Sequence, residues 1–88
     1  METNIRQDLL KRISFIEGHL SGIRQMVEGD RYCVDILRQT YAVRRAIEKL
    51  EGKLLAGHLR TCVVDGIKGG KEDEIVRELD ELYDLAGK

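Results

Sequence analysis

The sequence predicts an all-α protein, and three observations carry the prediction. The 88 residues include no proline, so nothing forces a helix to stop. Charged residues make up 35% of the chain and apolar residues 42%, which suits helices with one wet and one dry face. The apolar residues recur at steps of three and four rather than in alternation. The length leaves room for one domain, read as a single helical domain over 1–88 with helices at about 4–28, 31–64 and 71–85. A core drawn from so few residues is small unless a disulfide, a metal or another copy supports it.

The first helix is read from Ile5, Leu9, Ile13, Ile16, Leu20, Ile23 and Met26, which fall on one face. Gly18 and Gly22 inside it each cost about 1 kcal/mol against alanine, which points to a close approach by another backbone. Gly29 is expected to take the left-handed cap, with Asp30 as N-cap of the second helix. That second helix is long. At 1.5 Å per residue it would span roughly 50 Å, more than a small domain is wide. Such a helix needs partners along its whole length. The run Asp65-Gly66-Ile67-Lys68-Gly69-Gly70 is expected to break it. The third helix comes next, with Ile75, Leu79 and Leu82 facing inward, joined by Val76 and Leu85, and with Glu72, Asp73 and Glu74 at the positive end of its dipole.

The net charge of −1 hides a segregation. Residues 1–62 carry eleven basic and eight acidic side chains, a net +3, and the rest of the chain carries a net −4. A pI near neutrality therefore does not exclude nucleic acid, because the local surface is what a phosphate meets. No apolar run approaches the roughly 20 residues of a membrane span, and METNIRQDLL has no signal-peptide h-region. The expected location is the cytoplasm, where a structural disulfide is not expected. The two thiols then read as metal-binding or redox-active.

His58 and Cys62 are four residues apart and project from one helix face, so they can share a metal. Taken alone, that pair is explained as well by a small buried thiol and a solvated histidine. Cys33 sharpens the case. Counted at about 100° per residue, Cys33, His58 and Cys62 fall within about 20° of one stripe of the long helix. Along a continuous helix Cys33 and Cys62 would lie roughly 43 Å apart. Two copies packed antiparallel close that gap: Cys33 of one meets His58 and Cys62 of the other, at both ends of an isologous dimer. The seam would be Ile36, Thr40, Val43, Ile47, Leu50 and Leu54. Two thiolates and one imidazole form a soft set that suits trigonal Cu(I), whereas Zn(II) takes a fourth ligand.

There is no helix-turn-helix pattern and no zinc-finger spacing. There is a basic set: Arg38, Arg44, Arg45, Lys49 and Lys53 on the long helix, and Arg6, Lys11, Arg12 and Arg24 on the first. Doubled by a two-fold axis, it forms a positive surface able to contact DNA phosphates. For any single member, a solvated helix face explains the charge equally well. His19 reads as structural or solvated. No nucleophile–base constellation and no Gly-rich phosphate loop is present, so no enzyme activity is expected.

The runs GHLSGIRQMVEGDRYCVDILRQTYAV and LLAGHLRTCV resemble the copper-sensitive operon repressor family, over roughly residues 9–82. The resemblance implies a three-helix protomer with a long central helix, an antiparallel dimer and a dimer-of-dimers tetramer. It implies a repressor that binds operator DNA in the apo form and is released by Cu(I). It puts the metal ligands on Cys33, His58 and Cys62, with Tyr32 and Glu78 around them, and DNA contacts on Arg12 and Lys49. The family often has arginine at the place of Lys49, and arginine near Gly18 where this chain has Glu17. Nickel/cobalt sensors of this fold use more histidines, persulfide sensors lack the histidine and formaldehyde sensors lack the second cysteine. Two further readings stay open: a thiol- or persulfide-responsive repressor, and a copper buffer that does not bind DNA.

Overall fold

The structure is a computed structural model that describes residues 1–87. Its elements are α1 (Thr3–Glu28), α2 (Cys33–His58), a π turn (Leu59–Val63), α3 (Val64–Lys68) and α4 (Glu72–Ala86). The described residues contain no strand. Since α2, the π turn and α3 follow one another without a coil residue, the helical segments number three. No helix among the described residues is long and apolar enough to cross a membrane.

The chain forms two compact units, Met1–Leu55 and a second that begins at Ala56. The first is an antiparallel helical hairpin. His19 near the turn meets Gln39 through Nε2 and Oε1 at 2.7 Å, while residues 8–16 of α1 face Ala46 and Lys49 farther along α2. Leu9 and Ile16 of α1 and Val43 of α2 are its buried side chains. Ile5, Ile23, Met26, Ile36, Thr40 and Leu50 are half-buried. Ile13, Leu20, Ile47 and Leu54 stay exposed. Among the described residues nothing comes within 4 Å of where a Cβ would stand on Gly18 or Gly22, so none of them makes the close backbone approach expected there.

The hairpin turn differs from the expectation at one residue. Gly29 has φ −89, and Asp30 takes the left-handed conformation at φ +52. The reason lies in the cap. Arg31 N–H donates to Met26 O at 3.0 Å and Asp30 N–H donates to Val27 O at 3.2 Å, the pair of bonds that makes a Schellman cap. That pair requires left-handed backbone at the residue between them, which is Asp30. An aspartate tolerates the conformation better than most side chains.

The second helical segment runs past its expected end at Val64 and stops at Lys68. The same cap recurs there: Lys71 N–H to Gly66 O at 2.8 Å, Gly70 N–H to Ile67 O at 3.1 Å, and Gly70 at φ +78. Gly66, expected to break the helix, lies inside it instead. A Cβ on Gly66 would stand 2.7 Å from Cδ1 and Cγ1 of Ile75, so the glycine is there to let α4 seat. Val63 and Ile75 are the buried pair of this unit, with Leu79 half-buried. Leu82, Val76 and Leu85, expected to face inward, are exposed.

Candidate metal centre and nucleic-acid face

Cys33 is the first residue of α2, and it is exposed and free. Tyr32 precedes it, is 67% exposed, and starts the helix with its carbonyl, which accepts from Asp35 N–H at 3.0 Å and Ile36 N–H at 3.2 Å. His58 closes α2 and is half-buried. Cys62 lies in the π turn, again free. Glu78 is exposed on α4. Among the described residues, no three His, Cys, Asp or Glu side chains of the single chain form a metal-holding group.

The π turn is the feature that the spacing of His58 and Cys62 could not reveal. Here the backbone N–H donates five residues back rather than four, and each turn widens. Thr61 lies within it. Its hydroxyl donates to Gly57 O, four residues back, at 2.8 Å, and its oxygen lies 3.7 Å from Cys62 Sγ. A threonine bonded back in this way competes with the helix ladder and bends it. The chemistry of the donors fits a soft cation: both sulfurs are reduced and open to solvent, and one imidazole lies on the turn before Cys62.

The basic residues divide by their partners. Arg12 and Lys49, from α1 and α2, line one groove of about 380 Å³ in the first unit, together with Asp8, Lys11, Phe15, Ile16 and Ala46. Arg12 is held there by Asp8, Nε to Oδ2 at 3.0 Å. Three cations, one carboxylate and an exposed ring thus surround an open groove, a setting in which a phosphate would find donors from two helices. Arg38 lies 3.9 Å from Asp35 Oδ1, and the Arg44 guanidinium stands 5.1 Å over the Tyr41 ring. Arg45 and Lys53 are exposed. The exposed pair Arg24 and Glu28, 4.0 Å apart, is worth little in water. His19, bonded to Gln39 and edge-on to Phe15 at 6.2 Å, is structural.

Sequence reasoning passed over Asp8, Phe15, Tyr41 and Thr61. Two of them carried a signal: Asp8 is four residues before Arg12, and Tyr41 three before Arg44, both neighbours on a helix surface. Thr61 carried none, because a threonine in a helical run bonds back or faces solvent with equal ease.

The comparisons with known proteins agree on one family. The family model described as metal-sensitive transcriptional repressor matches residues 5–88. The copper-sensing transcriptional repressor CsoR of Bacillus subtilis (strain 168) is 41% identical over 78 residues, which are 89% of this chain and 77% of that protein. The CsoR of Mycobacterium tuberculosis (strain H37Rv) is 37% identical over 70 residues, 80% of this chain, which spans 59% of that longer relative. The crystal structure of the copper-sensing repressor CsoR with Cu(I) from Geobacillus thermodenitrificans NG80-2 superposes with a TM-score of 0.94 at 33% identity, over 100% of this chain and 92% of that one. The nickel-responsive transcriptional regulator InrS gives 0.75 at 34% identity, over 90% and 89%. The chain belongs to the metal-sensitive transcriptional repressor family, whose members are regulators and not enzymes.

Proposed function

We propose that the chain is a Cu(I)-responsive repressor that holds operator DNA in its apo form and leaves it when Cu(I) is bound. The observation that carries the proposal is the donor set. Cys33 and Cys62 are free, exposed thiols, and His58 stands one turn before Cys62. Two thiolates and one imidazole match the softness and the coordination number of Cu(I) better than those of Zn(II) or Ni(II). The two CsoR relatives, both copper sensors, support the same choice.

Cys33 is supplied by one protomer and His58 with Cys62 by its antiparallel partner, the arrangement that the 29-residue spacing of the two cysteines along a continuous helix calls for. The exposed Ile47 and Leu54 of the seam, and the open faces at Gly18 and Gly22, support burial against further copies of the chain as a dimer and a dimer of dimers. Bound Cu(I) supplies a cross-link between two thiolates and an imidazole, with no redox chemistry required. Tyr32 and Glu78 hold the free imidazole nitrogen of His58 in its ligating orientation. Arg12 and Lys49, with Lys11 beside them, contact phosphates, and Arg38, Arg44, Arg45 and Lys53 extend that surface. Release of DNA then requires that Cu(I) bind the DNA-free arrangement more tightly than the DNA-bound one.

The test is an anaerobic Cu(I) titration followed by fluorescence anisotropy of operator DNA from the protein's own promoter region. Binding in the apo form and loss of anisotropy near one Cu(I) per chain is the expected result. DNA that never binds leaves a copper buffer; DNA that stays bound at saturating Cu(I) refutes copper control. One observation favours a second reading: both thiols are exposed and reduced. If persulfide treatment releases DNA and Cu(I) does not, the chain is a thiol-responsive repressor.

A further inference from the structure

An exposed phenylalanine needs no explanation by itself. The setting of Phe15 does. It is the one phenylalanine of the chain, and its ring is 69% exposed. It stands in the groove that Lys11 and Arg12 of α1 share with Lys49 of α2. One side of the ring is braced. His19 lies edge-on to it at 6.2 Å, and the His19 imidazole is tied across the hairpin to Gln39 at 2.7 Å. An apolar ring held among three cations suits a polyanion that also offers apolar groups, and duplex DNA is such a ligand. Cations on phosphates fix the register and carry no sequence, which is read at the base edges. Phe15 sits near the middle of α1, a helix of 26 residues, with helix on either side of it. A helix roughly 10–12 Å across enters the major groove, about 12 Å wide, and not the minor groove, about 6 Å wide. Apolar side chains that wedge between base steps belong to the minor groove. In the major groove the apolar feature is the C5-methyl of thymine, and phenylalanine is one of the side chains that pack on it.

We propose that Phe15 reads sequence: its ring packs on thymine methyl groups in the major groove while Lys11, Arg12 and Lys49 hold the phosphates beside it. This deepens the repressor reading and rests on it. Asp8, the one carboxylate of the groove, is engaged with Arg12 at 3.0 Å, so the surroundings of the ring stay positive. The ring brings no charge. Its contact therefore separates one sequence from another without adding to the salt dependence, which the cations set.

The experiment measures apo wild type, Phe15→Ala and Arg12→Ala by fluorescence anisotropy over a range of salt. The two ligands are operator DNA and the same duplex with every thymine replaced by uracil. The exchange removes the methyl groups and keeps every phosphate and every hydrogen-bonding edge. Wild type is expected to bind the uracil duplex about fourfold more weakly for each methyl group the ring buries. Phe15→Ala is expected to lose as much on the thymine duplex and to bind both duplexes alike, with the salt slope of wild type. Arg12→Ala keeps the sensitivity to the methyl groups and loses slope instead. A Phe15→Ala protein as sensitive to the exchange as wild type overturns this proposal alone, as does a wild type that binds both duplexes equally. A change of assembly state in Phe15→Ala, read by sedimentation, overturns it too, since the ring is then a contact between copies. A wild type that binds neither duplex overturns the repressor reading and this proposal with it.

Discussion

Ile75 occupies the space a side chain on Gly66 would need: a Cβ there would stand 2.7 Å from both Cγ1 and Cδ1 of the isoleucine. Gly66 lies inside α3 and Ile75 is one of the few buried residues of α4. Their contact joins the two helices. Gly66→Ala gains about 1 kcal/mol of helix propensity. It also drives a branched, buried side chain off its place, which typically costs about 1–3 kcal/mol. The clash at Cγ1, close to the backbone, decides the sign. A net loss of about 1 kcal/mol is expected in urea unfolding.

Asp30 gives the opposite sign. It is held at φ +52 by the cap that ends α1. Left-handed backbone costs a residue with a Cβ roughly 1–2 kcal/mol, and less for aspartate. Asp30→Gly is therefore expected to raise stability by about 0.5–1 kcal/mol, and Asp30→Ala to lower it, in the same unfolding measurement.

The groove of Arg12 and Lys49 makes a prediction about salt. Removing one cation that pairs with a phosphate lowers the dependence of log K on log salt by about 1. Arg12→Ala and Lys49→Ala should each do so on operator and on unrelated DNA alike. Asp8→Asn should steepen the slope, because it removes the one carboxylate among three cations, while stability changes by about 1 kcal/mol or less, as for a half-buried surface pair one helical turn apart. An unchanged slope in both alanine variants would move the DNA contact to another face.

His58→Ala separates binding from response. The apo variant should hold operator DNA as wild type does, because His58 lies outside the basic groove. It should keep some Cu(I) through the two thiols and fail to release DNA. Anisotropy of labelled operator at saturating Cu(I) reads the difference, and normal release would rule out His58 as the link.

Leu9→Ala tests the hairpin. Leu9 is 6% exposed, in a unit with few buried side chains. A loss of about 2–5 kcal/mol is expected from the missing packing and the cavity. Phe15→Ala, at a ring 69% exposed, should leave stability nearly unchanged in the same urea titration.

The three helices were legible because steps of three and four with no proline admit little else. Leu9, Ile16 and Ile75 were legible as inward-facing, because one stripe per helix must find cover, whereas Val43, read for a seam between copies, is buried in the chain's own hairpin, and Leu82, Val76 and Leu85 are exposed. The candidate ligands were nameable from residue type and spacing, since few side chains bind soft metals. What escaped the sequence were contacts made across turns. Asp30 takes the left-handed place because two backbone bonds leave it there, which residue type alone would have assigned to Gly29. Gly66 reads as a breaker until Ile75 is seen to fill the place of its missing side chain. Thr61 reads as a neutral helix residue until its hydroxyl is seen between Gly57 and Cys62. Arg12 and Lys49 are 37 positions apart, and only the hairpin brings them to one groove. The sequence by itself determined periodicity, hence helices and faces, because these arise from local repeats along one chain. The tertiary structure decided which residue sits at each cap, which glycine is a seat and which basic residues share a groove, because those depend on distances between residues the repeat does not relate.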